Sequence, residues 1–110
     1  VDFAEQAVKE MQSRIEPGMS MEVIQADLFD LPAFMKEEFD YILEYTCFCA
    51  IDPQRRADYI ESVSSLMKPG GYYVALAFPI GNRTAGPPFL VTPDELIEPL
   101  GDRGFELVNR

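Results

Sequence analysis

The sequence predicts an α/β fold, a mostly parallel sheet with helices on its flanks. Three observations carry this. Two short apolar runs, Tyr41 to Leu43 and Tyr72 to Phe78, have the length and β-rich character of buried strands. A capped helix of crossover length lies between them, which makes them parallel neighbours. Apolar strand-like runs alternate with helical periods over the rest of the chain.

Residues 3 to 15 place Phe3, Ala7, Val8, Met11 and Ile15 on one helical face. Glu5 to Lys9 and Glu10 to Arg14 add i,i+4 pairs in the favourable orientation, and Pro17-Gly18 stops the helix. Met21 to Ala26 reads as a strand ending at Asp27. Leu31-Pro32 marks a loop before the strand Phe39 to Tyr45, whose uninterrupted Tyr41-Ile42-Leu43 suits a strand covered on both faces. Asp52-Pro53 is a helix start, with Asp as N-cap and Pro at the first helical position. That helix buries Ile60, Val63 and Met67, and Lys68-Pro69-Gly70-Gly71 ends it. Thr92-Pro93-Asp94-Glu95 is a capping box opening a short helix that Pro99 and Gly101 curtail. A last strand, Phe105 to Val108, is expected in the same sheet as Tyr41 to Leu43 and Tyr72 to Phe78.

Composition narrows the function. The chain has 110 residues, enough for one domain, and 47% are hydrophobic, enough for a core. A net charge of −10 with nine scattered basic residues argues against nucleic acid as a partner. No apolar run is long enough to span a membrane and no signal-peptide pattern opens the chain. Histidine is absent, which removes Ser-His-Asp and Cys-His catalysis. Cys47 and Cys49 alone fall short of a four-ligand metal site, so no metal is expected; they read as a buried pair of small apolar side chains. Two cysteines two positions apart are no disulfide framework, which fits a reducing, cytoplasmic compartment.

The chemistry concentrates at strand ends. Asp2, Asp27 and Glu44 each stand where a strand is expected to finish. Carboxylates there accept hydrogen bonds from ribose hydroxyls, an exocyclic amine or an ammonium. A single strand-end acid is ordinarily a helix cap or a solvated group; three in succession favour a site. Asp27 and Glu44 are expected at the carboxyl edge of one sheet, facing a common cleft. No Gly-rich strand-to-helix turn is present, and Gly70-Gly71 precedes a strand, so it is a turn. A nicotinamide oxidoreductase is disfavoured, because both G-x-G-x-x-G and a Tyr-x-x-x-Lys pair are missing.

These residues resemble a class I S-adenosylmethionine (SAM) methyltransferase. Ala26-Asp27-Leu28-Phe29, the Phe39 to Tyr45 run and Lys68-Pro69-Gly70-Gly71 match that superfamily's segments in order. Glu44-Tyr45-Thr46-Cys47-Phe48-Cys49-Ala50-Ile51, together with Gly86-Pro87-Pro88-Phe89 after Phe78-Pro79-Ile80, is similar to its thiopurine, thiol and halide methyltransferase group. The resemblance covers essentially the whole chain and departs from the family in lacking its N-terminal region and glycine-rich first motif.

The resemblance implies the C-terminal portion, residues 1–110, of a single partial Rossmann-like methyltransferase domain. It implies SAM as cofactor, held by Asp2 at the ribose, by Asp27 and the Leu28 amide at the adenine, and by Glu44 near the methionine end. It implies Tyr45 as the catalytic side chain facing a small-molecule methyl acceptor, a thiol, thiopurine or halide, with Phe78 and Phe89 lining its pocket. Tyr45 read on its own is equally a half-buried strand-end aromatic, and aromatics such as Phe78 and Phe89 are more often plain core. In the family's strand order the Tyr41 to Tyr45 strand would lack its usual neighbour, so a homo-oligomer formed through the exposed sheet edge is expected. The alternative function is a non-catalytic α/β module that needs a missing N-terminal half or a partner chain.

Overall fold

A computed structural model describes residues 1–82 and 84–110. The chain divides into two compact units, Val1–Ala33 and Phe34–Arg110.

The first unit is built around helix α1, Glu5–Ser13. Asp2 precedes it, its Oδ1 accepting from the Ala4 N–H at 2.8 Å. The ion pairs Lys9–Glu5 and Arg14–Glu10 form as the i,i+4 spacing requires, but all four side chains are exposed, so they add little stability. Of the expected apolar face, Val8 is buried and Ala7 and Ile15 are half-buried, whereas Phe3 and Met11 are exposed. The strand expected over Met21 to Ala26 is not formed. A single parallel bridge pairs Asp2 with Gln25, through Asp2 N–H to Ile24 O (3.1 Å) and Ala26 N–H to Asp2 O (3.0 Å). On its carboxyl side the partner segment cannot extend the pairing, because the chain turns into α1 at Glu5. Asp27 then closes a tight turn, its Oδ1 accepting from Phe29 N–H (2.9 Å) and its carbonyl from Asp30 N–H (3.0 Å).

In the second unit β1, Phe39–Tyr45, lies parallel to β2, Met67–Leu76, and the two make a two-stranded sheet. The parallel pairing agrees with the sequence. Asp52 caps as expected, Oδ1 accepting from Gln54 N–H at 2.9 Å, and Pro53 opens one 3-10 turn that runs into helix α2, Arg56–Leu66. Tyr59, Ile60, Val63 and Leu66 form its buried side. Met67 is buried too, but as the first residue of β2 rather than the last of the helix.

Between Met67 and Tyr72, β2 makes a four-residue excursion. Phe39 pairs with Met67 and Tyr41 already with Tyr72, so Lys68 to Gly71 stand outside the regular ladder. Gly70 adopts φ 81°, and a Cβ on Gly71 would sit 2.9 Å from the Asp40 carbonyl and collide with the Met67 sulfur. The excursion therefore requires glycine at both positions, for different reasons.

Helix α3, Asp94–Asp102, packs on α2 and buries Leu96 and Leu100. Half of the capping box is present: the Glu95 carboxylate accepts from the Thr92 N–H (2.8 Å) and also from its hydroxyl (3.1 Å). Pro99 does not curtail this helix, which continues to Asp102. One missing N–H costs a single backbone bond, and the burial of Leu96 and Leu100 outweighs it. Phe105 to Val108 is not a strand. Phe105 N–H instead bonds back to Leu100 O at 3.1 Å, and Leu107 and Val108 are exposed. An apolar run without a neighbour to pair with gains nothing from extension.

Within the second unit, the described residues cover the sheet on one face only, contrary to the two covered faces expected from Tyr41-Ile42-Leu43. Ile42, Glu44 and Tyr73 share the face toward α2. Tyr41, Leu43 and Tyr45 of β1 and Tyr72, Val74 and Leu76 of β2 alternate to the other face and are all exposed. Cys49 is buried as expected, but Cys47 is exposed. No helix among the described residues is long and apolar enough to cross a membrane.

Candidate functional site at the carboxyl end of the first strand

Glu44 is the penultimate residue of β1 and is 4% exposed. A buried carboxylate needs several donors, and this one has them. Oε1 accepts from the backbone N–H groups of Cys47 (3.1 Å) and Phe48 (2.8 Å), the start of a one-turn 3-10 helix, Phe48–Ala50. Oε2 accepts from the Tyr59 hydroxyl at 3.1 Å, and the Tyr59 and Tyr73 hydroxyls lie 2.8 Å apart. The three groups link β1, α2 and β2. Burial pushes the ionisation of Tyr59 and Tyr73 well above the ordinary tyrosine value, and the negative charge of Glu44 pushes both further.

Tyr45 follows with its side chain on the open face, 60% exposed. Thr46 then adopts φ 64°, a left-handed conformation that a β-branched residue rarely accepts. Its hydroxyl donates to the Tyr45 carbonyl (2.6 Å), and its own carbonyl accepts from the Cys49 thiol (3.4 Å). The strained turn is thus clamped from beneath by Glu44 and sits directly beside Tyr45.

Phe89 returns to the same region, its N–H donating to the Cys49 carbonyl at 2.7 Å. Its ring lies against Gly86, where a Cβ would come within 2.5 Å of it. Phe89 lines an open cleft of about 500 Å³ with Arg56, Leu90, Thr92 and Glu95. Arg56 is buried, its guanidinium 4.6 Å from the centre of the Phe48 ring, paired with Glu95 and donating to the Leu90 carbonyl (2.9 Å). Burial tends to raise the Glu95 ionisation, but bonds from Thr92 and the Arg56 charge prevail and hold it below the ordinary value. Phe78 is half exposed, and neither it nor Tyr45 lines this cleft.

In the first unit Asp2 is half-buried and Asp27 exposed. Each commits Oδ1 to a nearby backbone N–H and keeps Oδ2 clear of hydrogen bonds among the described residues. Leu28 follows Asp27 half-buried. Tyr59, Tyr73 and Arg56 were not legible as site residues. The only sequence signal for Tyr59 is its place on the buried side of α2, beside Ile60 and Val63. No cluster of three or more His, Cys, Asp or Glu side chains among the described residues is arranged to hold a metal ion.

Several curated proteins are similar to this chain in sequence. Probable thiol methyltransferase 2 of Arabidopsis thaliana is 41% identical over 73 residues, which cover 66% of this chain and 32% of the relative. Thiocyanate methyltransferase 1 of the same plant is 40% identical over 73 residues, with the same coverage. Thiopurine S-methyltransferase of Bos taurus is 37% identical over 71 residues, 64% of this chain and 29% of the relative. The chain therefore spans about a third of the length of the curated relatives it matches. The model of the thiopurine S-methyltransferase (TPMT) family matches residues 1–108, and the chain belongs to that family.

Proposed function

We propose that this chain takes part in SAM-dependent methyl transfer to a small soft nucleophile, a thiol, thiopurine or halide. The observation that carries the reading is the family match over residues 1–108, which contains every acid and aromatic discussed above. The relatives' names point to sulfur nucleophiles and thiocyanate as acceptors.

The donor sets can be tested against the cofactor. Asp2 and Asp27 fit it: each keeps one carboxylate oxygen clear of hydrogen bonds among the described residues, suited to a ribose hydroxyl or an adenine amine, with the Leu28 amide beside Asp27. Glu44 fits a different part. Both its oxygens are engaged within the fold at 4% exposure, so it acts by fixing the turn that carries Tyr45. SAM supplies an electrophilic methyl group on a sulfonium. Tyr45 donates its hydroxyl hydrogen bond to the incoming thiolate or halide and aligns it, and Phe78 and Phe89 are the apolar side chains that the family resemblance assigns to the acceptor, although Phe89 lines a cleft that Phe78 and Tyr45 do not. Transfer between opposite charges that cancel depends on such alignment and dryness more than on a base, which suits a chain without histidine.

Incubation with methyl-labelled SAM and separate thiol, thiopurine, iodide, RNA and DNA acceptors tests the reading. Label is expected in the first three. Label confined to RNA or DNA would overturn the substrate class.

The second reading, a non-catalytic module that needs further protein, is favoured by the uncovered sheet face. Calorimetric titration with SAM separates the two: heat of binding supports the first reading, and its absence the second.

A further inference from the structure

We infer that Glu95 is a second positioning residue for the turn beside Tyr45, acting from the first turn of α3 through Arg56 and Phe48. The reaction that this turn serves rests on the methyl-transfer reading; the link itself does not. One carboxylate joins three segments. Its Oε1 accepts from Arg56 Nη1 of α2 at 2.5 Å, and its Oε2 from the Thr92 N–H and hydroxyl. Arg56 passes the hold on twice. Its Nη2 donates to the Leu90 carbonyl at 2.9 Å, next to Phe89, whose N–H donates to the Cys49 carbonyl at 2.7 Å. Its guanidinium also lies 4.6 Å from the centre of the Phe48 ring. Phe48 is 1% exposed, packs on Tyr59 at 5.1 Å between ring centres, and gives its N–H to Glu44 at 2.8 Å. Both routes therefore end in the 3-10 turn that Glu44 holds from the other side.

The guanidinium is held at a cost. Arg56 is 8% exposed, and its Nε–H has no hydrogen-bond partner among the described residues. An unmet buried donor is expensive, so a side chain placed by its own hydrogen bonds alone would not leave one. The charged bond to Glu95 and the stacking on Phe48 supply the force that fixes it there. Capping α3 asks for none of this. Glu95 completes the helix start with Thr92 alone, and an acid that only caps would not reach residues 47–49.

That difference is readable amide by amide in the nitrogen-15-labelled full chain by NMR. Glu95→Gln removes the charge and leaves one acceptor oxygen, which can serve Thr92 or Arg56 but not both, so the charged link is lost. The Glu95 side chain is 40% exposed, and the variant should fold like the wild type by circular dichroism. It is expected to shift the amide signals of Cys47, Phe48 and Phe89. Arg56→Lys keeps the charge but loses the planar fork to Leu90 and the stacking on Phe48, and should shift the same three. Thr92→Val, which removes only the hydroxyl bond to Glu95, should leave them in place. In urea, the midpoint of Glu44→Gln/Glu95→Gln should fall by less than the two single losses together, because both acids act on one turn. In methyl transfer, Glu95→Gln should raise the acceptor KM at least about fivefold and leave the SAM KM unchanged. Glu95→Gln shifts confined to residues 90–98, or strictly additive midpoints, would overturn the inference. Amide shifts and midpoints read the link with or without methyl transfer, so its failure and that of the methyl-transfer reading are told apart.

Discussion

Glu44→Ala removes a buried acceptor that serves two backbone N–H groups and one tyrosine hydroxyl. The distances, 2.8 to 3.1 Å, are those of fully made hydrogen bonds. Each bond to a charged group contributes about 1.5–3 kcal/mol, and truncation leaves Cys47, Phe48 and Tyr59 donors without their partner. The three bonds share one group and do not add, so the expected loss is about 3–5 kcal/mol, the range for breaking a buried charged network. Glu44→Gln separates acceptor from charge. Its oxygen can still serve both backbone N–H groups, and its amide can donate to the Tyr59 oxygen while the Tyr59 hydrogen turns to Tyr73. Every group keeps a partner, and the cost falls to about 1–2 kcal/mol, the loss of charge assistance. Urea unfolding followed by far-ultraviolet circular dichroism measures both variants. An alanine variant within about 0.5 kcal/mol of wild type, the scatter of neutral surface substitutions, would refute the clamp. A glutamine variant as damaged as alanine would refute the hydrogen-bond account and leave charge alone.

Gly71→Ala should destabilise by about 1–3 kcal/mol in the same assay, because the Asp40 and Lys68 carbonyls against its Cβ belong to the backbone and cannot swing away. Stability should fall as pH rises past the ordinary tyrosine value of 10.0. Tyr59 and Tyr73 have raised values in the fold, so the unfolded chain releases its protons first; thermal unfolding across alkaline pH checks this, and Tyr59→Phe should flatten the decline. Under the methyl-transfer reading, Asp27→Ala should weaken SAM binding by about 1–3 kcal/mol, and unchanged calorimetric affinity would make Asp27 structural.

The parts of the fold legible in the sequence are those whose signals are local. Asp52-Pro53 announces the entry to α2, because a cap is decided within a few residues, whereas Lys68 to Gly71, read as the end of that helix, lie within β2, which already starts at Met67. The two apolar runs pair in parallel because the helix between them dictates that direction. Met21 to Ala26 and Phe105 to Val108 carry the same strand composition and are not strands, since a strand exists only with a partner. The one-sided cover of Tyr41 to Leu43 is invisible for the same reason: periodicity reports what wants burial, not what arrives to bury it. In the site, Glu44 was legible as an acid at the carboxyl end of β1, but not the direction of its carboxylate, inward to Tyr59 across fifteen positions of sequence. The left-handed Thr46 left no trace, because threonine is an unfavourable residue there and stays only through the clamp.

The parallel pairing of β1 with β2 has a consequence for how the chain acquires its structure. Tyr41 and Tyr72 lie 31 positions apart. Closing so long a loop has an entropic cost that rises only logarithmically, but it must be met before the ladder returns any stability. Helix α2, with the 3-10 turn at Pro53, condenses most of that loop into a short rod and brings the two strand segments within reach. Helix first, strand pairing second, is therefore the economical order of events. The Glu44–Tyr59–Tyr73 link closes only in the last step, when all three segments are in place. The residue that clamps the turn beside Tyr45 is thus also the one that reports completed assembly.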